Sequence, residues 1–144
     1  MRIITYKSFG PVGFGMAEQE VVNQLGKPSN TRTNNENELE YHYDDFIVRY
    51  DAASKLVREV TSLPQESGKL QVNDIVLDWH DDFFSDLCKA DGDPYEFYGY
   101  IVFFNLGISL TGFHGGDESQ KSISAFRKGD WDQFKGDMAV FEFS

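Results

Sequence analysis

The sequence predicts an α+β fold in which tandem α-β-β-β repeats form an antiparallel sheet with two helices packed on it. Three observations predict it. Two amphipathic segments of helical period each run into a glycine and then a proline, most of the remainder alternates with the period of a strand, and the two halves superpose element by element. With 144 residues, 40% of them hydrophobic and 26% charged, the chain reads as a single domain, 1–144, able to bury about two-thirds of its unfolded surface. Aromatic residues at 15% favour strands with large buried contacts and argue against disorder.

The run Gly10-Pro11-Val12-Gly13-Phe14-Gly15 reads as a tight turn leading into the first helix. It lacks the Gly-Lys-Ser/Thr ending of a phosphate-binding loop and does not match G-x-G-x-x-G. The helix covers 16–25, with Ala17, Val21 and Leu25 on one face; Gly26 supplies its cap and Pro28 prevents continuation. Residues 29–38 are polar and aperiodic, as an exposed, mobile loop or a hairpin rim would be. Leu39, Tyr41 and Tyr43 alternate, as do Phe46, Val48 and Tyr50 beyond a turn at Asp44-Asp45, and 56–63 follows the turn Asp51-Ala52-Ala53-Ser54. The second helix covers 78–91, with Trp79, Phe83 and Leu87 on its face, and Gly92 and Pro94 close it. Strands follow at 95–98, 100–106, 108–113, 122–126 and 138–143, with a polar loop at 114–121. Antiparallel hairpins are the natural connection for strands this close in sequence.

A shift of 62 residues lays Ala17 on Trp79, Val21 on Phe83 and Leu25 on Leu87. A shift of 54 lays Tyr41 on Tyr95, Phe46 on Tyr100, Val48 on Val102 and Tyr50 on Phe104. The repeats so defined span approximately 10–64 and 73–127, and the strand 138–143 stands outside them. A chance alignment of amphipathic elements is the competing explanation.

Chemistry is sparse. Cys88, the single cysteine, lies on the apolar face of the second helix, where a small buried hydrophobe is expected, and it rules out an intrachain disulfide. His42, His80 and His114 show none of the spacings that ligate metal, and Ser85 and Ser119 lack a nucleophile elbow. The sequence therefore predicts no metal, no cofactor and no enzyme class. An enzyme or small-ligand binder using His80 or His114 with nearby aspartates, in a pocket between sheet and helices, is the alternative.

The formal charge is −11, and it is uneven: residues 1–64 carry 7 basic and 9 acidic side chains, residues 65–144 carry 6 and 15. Such a field repels nucleic acid and anionic lipid and steers in a basic partner. Asp78, Asp82 and Asp86 share a helix face at i+4 spacing, where like charges repel. The helix dipole accounts for Asp78, Asp81 and Asp82 but not for Asp86 or Asp91, which points to a binding surface. Trp131, between Asp130 and Asp132, reads either as an anchor for a basic partner or as a ring folded back onto the sheet. The candidate partner-binding residues are thus Asp78, Asp81, Asp82, Asp86, Asp117, Glu118, Asp130, Trp131 and Asp132. No apolar run has the length of a signal peptide or a membrane span, so the expected location is the cytoplasm. A homodimer pairing through an open sheet edge is a third reading.

Gly15-Met16, Val21-Val22 and Leu25-Gly26-Lys27-Pro28 form the pattern G-M-x(4)-V-V-x-x-L-G-x-P. It resembles the repeats of beta-lactamase-inhibitor-like proteins and of a small outer-membrane assembly lipoprotein domain. The second repeat departs from it, with Trp79-His80 in place of Gly-Met. The resemblance implies helices against a short antiparallel sheet and a function in binding protein. As a whole the chain is similar to bacterial immunity proteins, small acidic partners that neutralise toxins. Together with the acidic second half, the aromatic among carboxylates and the absence of catalytic groups, this leads to the expectation of a stoichiometric inhibitor whose acidic second half covers a basic cleft, such as that of a nuclease.

Overall fold

A computed structural model describes residues 2–62, 70–77, 84–98, 100–111 and 122–140. The strands among them form two sheets. The larger is antiparallel throughout and has nine strands: β4 (Asn30–Thr33), β5 (Leu39–His42), β6 (Phe46–Tyr50), β7 (Val57–Ser62), β10 (Tyr95–Phe97), β11 (Tyr100–Phe103), β12 (Ile108–Thr111), β13 (Ser122–Phe126) and β14 (Ala139–Val140), in the spatial order β14-β10-β11-β12-β13-β7-β6-β5-β4. The smaller has the order β3-β2-β1-β8-β9, from β1 (Arg2–Ile4), β2 (Ser8–Phe9), β3 (Val12–Gly13), β8 (Leu70–Val72) and β9 (Ile75–Leu77). Its β1–β8 pair is parallel and joins Ile3 to Val72. The fold is therefore α+β and dominated by strands.

Each helix precedes a four-strand meander. α1 (Glu18–Leu25) leads into β4–β7 and α2 (Phe84–Asp91) into β10–β13, and the two meanders meet where β7 pairs with β13. α1 starts later than its apolar spacing predicts because the backbone before it is taken by β7: the Gly15 N–H donates to Val57 O and the Val57 N–H to Met16 O, at 2.8 and 2.9 Å. Both predicted glycine caps are in place. Gly26 and Gly92 have φ of 81° and 88°, and their N–H groups donate to Val22 O and Cys88 O. The first six residues of the second predicted helix, 78–83, lie outside the described residues, as does the predicted loop 114–121.

In the N-terminal half one reading is extended and one choice between readings is decided. The glycine-rich run is not only a turn: Val12–Gly13 pairs with Ser8–Phe9, and Val12 and Phe9 are buried. The polar segment 29–38 is a hairpin rim with its own strand, since β4 pairs residue for residue with β5 while all four of its residues stay exposed. Asn34 shapes the rim by accepting hydrogen bonds from the N–H groups of Glu36 and Glu38 at 2.9 and 3.0 Å.

One hydrophobic cluster draws on both sheets and both helices. Ile3, Phe9 and Val72 enter it from the smaller sheet, Val21 and Leu87 from the helices, and Val48, Tyr50, Val60, Ile101, Phe103, Ile108, Leu110 and Ile123 from the larger. Alternation along the strands then turns the next residues of the larger sheet to its other face, and that face carries the candidate site.

Candidate functional site

The outer face of the nine-stranded sheet carries a groove of about 790 Å³ with a mixed polar and aromatic lining. Strand register assembles its floor. On one line Ser109 of β12 faces Ser124 of β13, which faces Thr61 of β7; on the next Tyr100 faces Thr111, which faces Ser122. The hydroxyls pair across strands, Thr61 with Ser124 at 2.7 Å and Thr111 with Ser122 at 2.6 Å. Short hydroxyl side chains keep the floor low while leaving donors and acceptors for a visitor.

One wall is a ladder of alternating charge. Glu59 of β7 faces Arg49 of β6, Arg49 faces Glu40 of β5, and Glu40 faces Arg32 of β4. Arg49 bonds Glu40 at 2.7 Å and also pairs with Glu59; Arg58 pairs with Glu38 and reaches Asp130 at 3.4 Å. Arg127 joins Asp130 to Asp51 at 3.0 and 2.9 Å. Burial alone would push Glu38 and Glu40 upward, but bonds from Arg58 and Asn34 to the first, and from His42 and Arg49 to the second, hold both below the usual carboxyl range. They stay ionised at pH 7 and act as fixed acceptors, unsuited to general acid work. Of the charged residues that line the groove, three are carboxylates (Glu36, Glu38 and Glu59) and two are guanidiniums (Arg49 and Arg58), so this side carries an excess of one negative charge.

The opposite wall is aromatic. After β13 the chain turns at Gly129, and Trp131 settles over Phe126, Phe97, Tyr100 and Phe134, with ring centres 5.4–6.2 Å apart. Val102 and Phe126, both fully buried, lie on this outer face by alternation and are covered from this side. The 3₁₀ helix Asp132–Asp137 completes the wall and leads to β14. Asp130 ties the turn down through Arg58 and Arg127, which places Trp131 at the rim.

The candidate residues thus separate. Trp131 lines the groove, Asp130 is its tether, and Asp132 is exposed at the start of the 3₁₀ helix. Asp86 is exposed on α2, whose Leu87 enters the core on the other side of the sheet, so it is not part of the groove. Asp78, Asp81, Asp82, Asp117 and Glu118 lie outside the described residues. Charge counting missed Arg49, Arg58, Glu38, Glu59 and the hydroxyl floor. Their signal was the off-beat of the strand pattern, where serine and threonine recur at every second position in 109–111 and 122–124.

Among the described residues no three His, Cys, Asp or Glu side chains come together to hold a metal ion. Cys88 is buried, and that burial, with Asp91 adding to it, pushes its thiol up to about 11, which leaves it un-ionised and unreactive at pH 7. Among the described residues no helix is long and apolar enough to cross a membrane. Comparison with known families, with curated proteins and with solved structures returned no match.

Proposed function

We propose that the chain is a non-catalytic inhibitor of the immunity-protein kind, whose outer sheet face receives a basic segment of a bacterial toxin. The observation that carries this is the make-up of the groove: an aromatic wall with Trp131 and Tyr100, a hydroxyl floor, and a net negative wall whose charges are already fixed by arginines. Pre-set acceptors and rings attract a cationic loop without reorganising, which lowers the entropic cost of association. The chain's charge of −11 adds long-range steering. We read the architecture as a tandem repeat, with α1-β4-β5-β6-β7 and α2-β10-β11-β12-β13 as its units; the antiparallel β7–β13 pair between them supports this reading. The groove then lies across the junction of the units. In this role the protein would act in the cytoplasm of the cell it protects.

A second reading rests on the groove's size, which falls within the range of small-molecule sites. Titration of the purified protein with the product of the neighbouring gene, in an inactive form, separates the two. A 1:1 complex is expected, with affinity falling as salt rises and falling about 30-fold or more in Trp131→Ala, the loss expected of a central anchor. Absence of a complex at low salt would overturn the inhibitor reading.

A further inference from the structure

Beside the aromatic wall stands a ring that the fold leaves almost wholly unburied. β10 and β11 pair up to Phe97↔Tyr100, which leaves a two-residue loop, and Tyr98 is its first residue. Its φ is 48°, in the left-handed region where asparagine and glycine are the usual occupants and a bulky side chain is strained. A tyrosine could repay that strain by burying its ring, yet Tyr98 is 89% exposed, the most open of the large hydrophobic residues described. It leans edge-on against Phe97 with ring centres 4.6 Å apart, and Phe97 lines the groove with Tyr100, itself 39% exposed. Tyr98 therefore extends the aromatic wall outward from Phe97, beyond the residues that line the groove.

Resting on the reading above, we infer that Tyr98 is a partner-binding anchor that receives a lysine or arginine of the basic segment on its ring face while the rest of that segment enters the groove. Strain without burial marks a residue kept for something outside the fold. Charge complementarity names the occupant: on a chain of net charge −11, a cation placed over an exposed ring gains from both the ring and the field. The chain itself makes this contact a few residues away, where Lys135 Nζ lies 4.8 Å from the ring centre of Phe104 and 5.6 Å from that of Tyr95.

Two properties of Tyr98 variants should move in opposite directions. Tyr98→Asn keeps a side chain suited to the left-handed backbone and removes the ring. Its urea midpoint should equal or exceed that of the parent, and its affinity for the inactive product of the neighbouring gene should fall tenfold or more. Tyr98→Phe should bind within about threefold of the parent, because the ring face carries the contact. Trp131→Ala is measured alongside. If it weakens the complex while Tyr98→Asn binds like the parent, the anchor is overturned and the groove reading stands. If neither variant weakens the complex, the groove reading falls and the anchor with it. If Tyr98→Asn loses stability as well as affinity, the ring is a structural prop and the inference is wrong.

Discussion

Arg58 shows how a single residue fixes the site. Its guanidinium holds Glu38 on the hairpin rim and Asp130 in the turn before Trp131, two residues 92 positions apart in sequence. Neither contact is legible locally, because an arginine in a strand announces its face but not its partners. Only the register of β4–β7, and the fold of the C-terminal segment over β13, bring the three together. Charge counting therefore treated Asp130 as a free carboxylate when it is a bound one. These ion pairs make stability depend on pH. Asp51, which accepts from the N–H groups of Ser54 and Ala53 and from Arg127, is held well below its ordinary value, and Glu38 and Glu40 lie below theirs. A carboxyl lowered on folding stabilises above its unfolded value and loses that contribution as pH falls through its folded value. Asp91, raised by burial, has the opposite sign and regains stability on protonation, but it is one group against three. Urea midpoints should accordingly hold steady from pH 7 to about 5 and fall below about 4. A midpoint unchanged at pH 3 would mean that the ladder does not hold the fold.

The elements divide by length in how well the sequence announces them. β5, β6, β7 and β13 fall within a residue or two of their alternation, since each sets mostly apolar side chains on the core side and mostly polar ones on the other, Ile47 and Phe126 being the apolar exceptions on the outer face. β1, β2, β3, β8 and β9 were not read at all. They have two or three residues each, too few for a period, and the β1–β8 pairing spans most of the first half of the chain. β4 is hidden for another reason: an edge strand exposed on both faces has no alternation to show. The turn between β11 and β12 depends on a glycine for two reasons. Gly107 has φ +69°, and a Cβ there would lie 3.2–3.3 Å from the backbone N and ring of Tyr6. Tyr6 in turn donates its hydroxyl hydrogen to Phe104 O, so this contact locks the β1–β2 turn to the larger sheet. Gly107→Ala should cost about 1–3 kcal/mol in urea unfolding, from the left-handed strain plus the displaced ring. A loss under about 0.5 kcal/mol would mean that the two sheets are not joined there.

At the scale of the molecule, the described residues of both helices and of the smaller sheet pack on the core side of the nine-stranded sheet, and only Tyr6 of the β1–β2 turn reaches Phe126 at the end of β13. An antiparallel sheet can leave one face to solvent, and polar residues suffice for that. The aromatic wall does more than meet solvent: Trp131 closes over the buried Phe126, and Tyr100, 39% exposed, presents its ring to whatever enters the groove. The acidic bias of residues 65–144, the strongest feature of the sequence, does not map onto this groove alone. Its negative wall is built mainly from residues 36–59, and the second half contributes the rings and the tether Asp130. A partner is thus met by both halves at their junction. The most direct test is an NMR titration of the isotope-labelled protein with the inactive product of the neighbouring gene. Shift changes should centre on Thr61, Tyr98, Tyr100, Ser109, Ser122, Ser124 and the Trp131 indole, with α1 and the β1–β3 strands little affected. Changes concentrated on the helices or the smaller sheet, with the groove residues unmoved, would contradict the claim that the outer sheet face is where this protein binds.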